Sequence, residues 1–194
     1  MSICVGVSLR RRRSRARCCR SVQATETLKF LIGKVNSTHP SAVYQWDIDT
    51  GLLDPSSKEI NPLFTQISEQ IDKKHIAIYY FEIISPEPPP AKILETYKEA
   101  KSLGTRNYAR LNEASKFLYV GSSHSLPNRI REHLGFGYPK TYAMNLAHWA
   151  PELGLQLQLH TALYPQDSSQ EAIQALEDCL WKNLKPMLGR QGQR

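Results

Sequence analysis

The chain has no run approaching the ~20 consecutive apolar residues that a membrane-crossing helix needs, so no membrane span and no membrane partner is expected. Cysteine is scarce: there are four, and Cys4, Cys18 and Cys19 stand within the first 20 residues, leaving Cys179 alone downstream. No paired spacing joins them, so neither a disulfide framework nor a structural zinc site is indicated, and a reducing, cytoplasmic setting is expected. Internal repeats are missing as well, which removes solenoids and propellers. Acidic residues are absent from residues 1–20, where seven arginines stand.

Those arginines carry the formal charge. Of 25 Lys and Arg, the seven leave 18, equal to the 18 Asp and Glu, so the formal charge of +7 belongs to the arm and the rest of the chain is neutral. A basic groove on the folded part must come from local clustering, with Lys116, Arg131 and Lys140 as candidates. Residues 1–24 read as a disordered Arg-rich arm. A passive leader, a nucleic-acid-binding arm and an organelle transit peptide all fit that composition.

From residue 25 the pattern is that of a soluble globular domain, with 41% hydrophobic and 22% charged residues over 194 positions. A helix is expected over "TETLKFLIGKV", a turn-rich stretch from Asn36 to Pro62, and a second helix over "PLFTQISEQIDKK". Residues 25–74 thus read as a helical extension packed on a core spanning 75–190. "HIAIYYFEII" is β-branched and aromatic throughout, a buried strand. "SPEPPP" and a helix over "AKILETYKEAKSLG" follow, an insert at about 85–115 before the second strand, "KFLYVG". A helix over "KTYAMNLAHWA" is expected next. "GLQLQLHTAL" alternates Leu155, Leu157 and Leu159 and predicts a half-buried antiparallel strand. A last helix opens on the capping-box pair Ser168 and Glu171 and stops before Pro186. The expectation is an α+β fold of the α/β class, a small central antiparallel sheet of three strands flanked by helices.

Three features bear on chemistry. Glu177 lies beside the apolar stripe Ile173, Leu176, Leu180 and Leu184 of the last helix, where a carboxylate must be paired, protonated, bound to a cation or extended to water. Arg129 and His133 stand four apart on a short helix, with Ile130 and Leu134 offered to the core from its other face. Before that helix, "GSSHSLP" offers backbone amides suited to an anion, with Ser122 and Ser123 as candidate nucleic-acid contacts beside Arg129 and Arg131.

Ala77-Ile78-Tyr79 and Tyr119-Val120-Gly121, with Arg129 ten residues after Tyr119, His133 four beyond and Glu177 nine before Pro186, resemble the GIY-YIG nuclease superfamily over roughly residues 75–190. The resemblance implies a GIY-YIG-like fold and hydrolysis of DNA phosphodiester bonds with Mg2+ (or Mn2+). It makes Tyr79, Tyr119, Arg129, His133 and Glu177 the catalytic set, lining one cleft, with Glu177 as the metal ligand. Tyr79 would be the base for the attacking water, Tyr119 its orienter or relay, and His133 a partner in that role or a phosphate contact. Arg129 would hold the scissile phosphate, which suits a planar two-donor guanidinium. Two departures are visible: the motif tyrosines lie 40 residues apart instead of about a dozen, and Gly189 stands where many members carry asparagine. A metal-dependent endonuclease and a catalytically impaired nucleic-acid-binding module both remain open.

Overall fold

Four strands form one antiparallel sheet in the order β1-β4-β2-β3: β1 Ala42–Asp49, β2 His75–Ile83, β3 Phe117–Ser123 and β4 Gln156–Pro165. The structure is a computed structural model that describes residue 26 and residues 29–30, 32–56, 62–71 and 74–192. The chain divides into two units, Met1–Ser37 and Thr38–Arg194. In the first, residues 29–30 and 32–37 are helical, within and just past the stretch expected to be so, and the Arg-rich arm lies outside the described residues. All that follows concerns the second unit.

The sheet has four strands, not the three expected. The additional one, β1, arises inside the stretch read as turn-rich. Its "AVYQWDID" alternates, with Trp46 and Ile48 buried and Val43 exposed, but polar residues between them hide the period from a hydropathy reading. Pairing with β4 over eight register positions, Ala42 against Leu163 through Asp49 against Gln156, makes β4 an interior strand. That explains why Leu155, Leu157 and Leu159 are fully buried while Gln158 and His160 on the alternate face are only partly covered.

The first face of the sheet carries the main core. Trp46, Ile48, Tyr79, Phe81, Leu157 and Leu159 pack there with Leu63 and Ile67 of α1 (Pro62–Gln70), Ile93 and Tyr97 of α2 (Pro90–Ser102), and Ile130 and Leu134 of α3 (Leu126–Leu134). The expected insert between β2 and β3 is therefore structural: α2 contributes core side chains, and the buried Tyr97 phenol donates to the Ala109 carbonyl at 3.0 Å. The second face carries a smaller cluster in which Ile76, Ile78 and Tyr164 meet Ile173, Leu176 and Leu180 of α4 (Gln170–Leu184).

Two local expectations shift. The cap of α4 is Ser169, whose hydroxyl accepts from Ala172 N, one residue after the serine proposed from the capping-box pattern. "KTYAMNLAHWA" is not a helix but an irregular segment with a short 3-10 turn at Leu146–His148. Its hydrogen bonds run to distant backbone, Ala109 N to Ala143 O and Ala143 N to Asn107 O, and Asn145 adopts a positive φ of 56° that breaks helical continuity.

Candidate functional site

Edge strand β3 organises the site. Its register with β2 sets Tyr119 opposite Phe81 and Gly121 opposite Tyr79, and Leu118 is the extra residue at a bulge between Phe117 and Tyr119. Tyr79, Tyr119 and Gly121 share the first face. A Cβ on Gly121 would lie 2.8 Å from Tyr119 Cε1 and 3.0 Å from the Tyr79 hydroxyl, so glycine is what lets the two rings close over the strand. They stack with centroids 6.2 Å apart and planes 15° from parallel.

Helix α3 delivers the other two residues. Gly135, at φ 102°, ends it in a left-handed cap. His133 is fully buried beside Ile130 and Leu134, so it belongs to the core face of α3 and not to the separate polar face the four-residue spacing suggested. The Met144 amide donates to His133 Nδ1 at 3.3 Å, which makes Nδ1 the acceptor and places the proton of the neutral ring on Nε2. That nitrogen lies 3.0 Å from the Tyr79 hydroxyl oxygen and so donates to it. The His133 ring also packs 4.3 Å from the Tyr119 ring.

Arg129 closes the cluster. Its Nη1 donates to Glu132 Oε2 at 2.6 Å, and Nη2 donates to the Tyr119 hydroxyl at 3.3 Å and the Tyr142 carbonyl at 3.2 Å. Burial works to lower its pKa, but Tyr79, Tyr119 and the bond to Glu132 outweigh that and hold it above the ordinary arginine value. The side chain is therefore charged although only 11% exposed. Its Nε, and the hydroxyl of Thr161 opposite Tyr79 on β4, are buried and find no hydrogen-bond partner among the described residues.

The remaining expected contacts fall elsewhere. Ser122 and Ser123 are strand residues of β3 rather than turn residues. Ser122 pairs with Ile78 and turns its side chain to the second face, where its hydroxyl donates to Glu177 Oε2 at 2.5 Å. The five residues therefore do not line one cleft: Tyr79, Tyr119, Arg129 and His133 meet on the first face, and Glu177 stands on the second. The reason lies in α4, whose apolar stripe closes the second cluster and carries Glu177 with it. The Ser123 hydroxyl accepts from Ser125 N at 3.0 Å, so that turn amide is already used. Arg131 is exposed on the last turn of α3.

Glu132 and the Met144 amide were not legible as parts of the site, and Gly189 was visible only as a departure from the resembled pattern. Glu132 follows Arg129 by three residues, a helical pairing that the sequence did offer. Gly189 has a φ of +107°, its amide donates to Arg110 O, and a Cβ there would meet Tyr119 Cε2 at 3.0 Å. It wedges the Tyr119 ring from the side opposite Gly121. Among the described residues no group of three or more His, Cys, Asp or Glu side chains is placed to hold a metal ion. No helix among the described residues is long and apolar enough to cross a membrane. Comparison with models of known protein families, with curated proteins and with solved structures finds no match to this chain.

Proposed function

We propose that the chain is a divalent-metal-dependent endonuclease of the GIY-YIG type acting on DNA. The observation that carries the reading is the convergence of Tyr79, Tyr119, Arg129 and His133 into one hydrogen-bonded cluster on one face of edge strand β3, with Glu177 held at Ser122, the residue after Gly121 on that strand. The resemblance to the GIY-YIG superfamily named these five from the sequence. A group bound across the outer edge of β3 would have the cluster on one side and the carboxylate on the other.

Each residue has work it is suited to. The buried Nε–H of Arg129 has no partner among the described residues, which costs about 1–3 kcal/mol unless a ligand oxygen accepts it; a phosphate supplies such an oxygen. His133, with its proton on Nε2, donates to the Tyr79 oxygen and fixes its position. Tyr79, as the phenolate, would be the base, and Tyr119, bonded to Arg129, its orienter. Glu177 with the Ser122 hydroxyl fits a hard cation such as Mg2+, which keeps most of its waters and needs only one or two protein carboxylates. Such an ion, when bound, offsets charge on the leaving oxygen.

A second reading, DNA binding without turnover, is favoured by a specific observation: Tyr79 and His133 have no exposed surface, and the terminal nitrogens of Arg129 are engaged by Glu132, Tyr119 and Tyr142. A plasmid-nicking assay with Mg2+, with chelator, and with Glu177→Ala separates the two. Metal-dependent nicking by the native chain, lost in Glu177→Ala while the thermal midpoint stays put, is the result expected. DNA binding with no nicking establishes the second reading, and absence of both binding and nicking ends both.

A further inference from the structure

The turn after α3 carries two tyrosines that the fold treats unlike the rest. Tyr138 and Tyr142 are 66% and 68% exposed, whereas Tyr79, Tyr97, Tyr108, Tyr119 and Tyr164 are all at 8% or below. Exposure of that kind is ordinary on a loose loop, but the backbone between these two is pinned from several directions. Thr141 N donates to Tyr138 O at 3.0 Å, Asn107 N to Pro139 O at 2.8 Å and Asn107 Nδ2 to Lys140 O at 2.6 Å. Arg106 Nη2 donates to Gly137 O at 2.6 Å, and its Nε to Asn145 Oδ1 at 2.8 Å. At the far end Arg129 Nη2 donates to the Tyr142 carbonyl. Two large aromatic faces are thus held in water on a fixed backbone, an arrangement that spends little entropy on binding because each ring has only two side-chain torsions to fix.

The charge of the chain segment that carries the turn gives the partner its sign. Residues 103–150 hold six Lys and Arg (106, 110, 116, 129, 131 and 140) against Glu113 and Glu132, with Lys116 paired to Glu82 and Arg129 to Glu132. Outside this stretch and the first 20 residues, 12 basic residues face 16 acidic ones, so positive charge on the folded unit is concentrated in the stretch that bears the tyrosines. Exposed aromatic faces beside lysine and arginine suit a nucleic-acid strand whose bases are unstacked, since any base offers a π face to a ring and its phosphates meet the cations. An acidic protein surface would meet the charge but gives no reason for two exposed rings.

We infer that Tyr138 and Tyr142 form a stacking platform for unpaired bases, so that the DNA taken by this protein carries single-stranded character, a bulge, flap or overhang, beside the Arg129 site. The inference rests on the nucleic-acid reading above and adds the structural class of DNA. The link to that site is physical: the Tyr142 backbone is bonded to the Arg129 guanidinium, so a phosphate at Arg129 sets the neighbouring nucleotides against the turn.

The experiment is fluorescence-anisotropy binding of the full chain to a short duplex and to the same duplex carrying a few unpaired nucleotides, without divalent metal. The native chain should favour the second DNA by about tenfold or more, the scale of one or two stacked bases. Tyr138→Ala/Tyr142→Ala should abolish that preference while changing duplex affinity by less than about twofold, and Tyr138→Phe/Tyr142→Phe should retain it. The double alanine variant should melt as the native chain does, because the rings bury little. Equal affinity of the native chain for both DNAs, or a preference that survives the double alanine change, overturns the platform while leaving the nucleic-acid reading intact. If the native chain binds neither DNA, that reading fails and the platform falls with it; capture of an acidic protein by the same turn would then mark it as a protein-docking surface.

Discussion

Tyr79 and His133, separated by 54 positions in the chain, share a hydrogen bond of 3.0 Å with no solvent reaching either side chain. Strand β2 presents Tyr79 and helix α3 presents His133, and the Met144 amide on Nδ1 decides which ring nitrogen faces the phenol. One geometry serves both folding and the proposed chemistry, and the two can be separated by substitution.

Tyr79→Phe keeps the ring and its stacking on Tyr119 but removes the oxygen to which His133 donates. A loss of about 1–2 kcal/mol in unfolding free energy is expected, measured by denaturant titration. Cleavage of DNA should fall by far more than that stability loss accounts for. Native turnover in Tyr79→Phe would show the phenol to be a packing group alone.

Gly189→Asn introduces the residue that many GIY-YIG nucleases, which the sequence resembles, carry after their last motif, and the surroundings oppose it. The backbone φ of +107° strains any side chain, and a Cβ would stand 3.0 Å from the Tyr119 ring. A destabilisation of about 1–3 kcal/mol is expected, with no gain in DNA cleavage. A stabilised or more active variant would mean that the Tyr119 ring yields and that the asparagine has a role here.

Trp46→Ala tests whether β1 belongs to the cooperative core. Trp46 is buried, its ring nitrogen donates to Gln70 Oε1 at 3.1 Å, and Tyr44 stacks on it at 5.5 Å. A cost of about 3–5 kcal/mol is expected. A shift below about 1 kcal/mol would show that the strand frays independently of the rest of the sheet.

His148 supplies a pH test. Burial lowers its pKa, opposed by the hydrogen bond to the Gly135 carbonyl and helped by Arg106, so the fold favours the neutral ring. For a base held below its unfolded value near ~6.5, the unfolded chain binds more protons, and stability falls as the pH drops through that value. Thermal midpoints between pH 7.5 and pH 5 should decline less in His148→Gln than in the native chain. Parallel declines would remove His148 from the acid response.

What the sequence determined was local and periodic. β2 and β3 were legible from β-branched and aromatic runs, β4 from its leucine alternation, and α2, α3 and α4 from apolar spacing bounded by Pro and Gly. Tyr79, Tyr119, Arg129 and His133 were singled out by the resemblance of their surrounding motifs to the GIY-YIG superfamily, and the fold brings those four together. What only the tertiary structure decided was pairing, face and burial. β1 exists as a strand because β4, more than 100 residues later, accepts it edge to edge, and no local pattern encodes a partner that distant. Glu177 was placed with the others by the same resemblance, yet the side of the sheet on which a helix lands follows from which apolar stripe closes which cluster, so it stands across β3 from Arg129. The donor on His133 Nδ1 is a backbone amide, and a backbone group leaves no mark in the side-chain sequence from which such contacts are read.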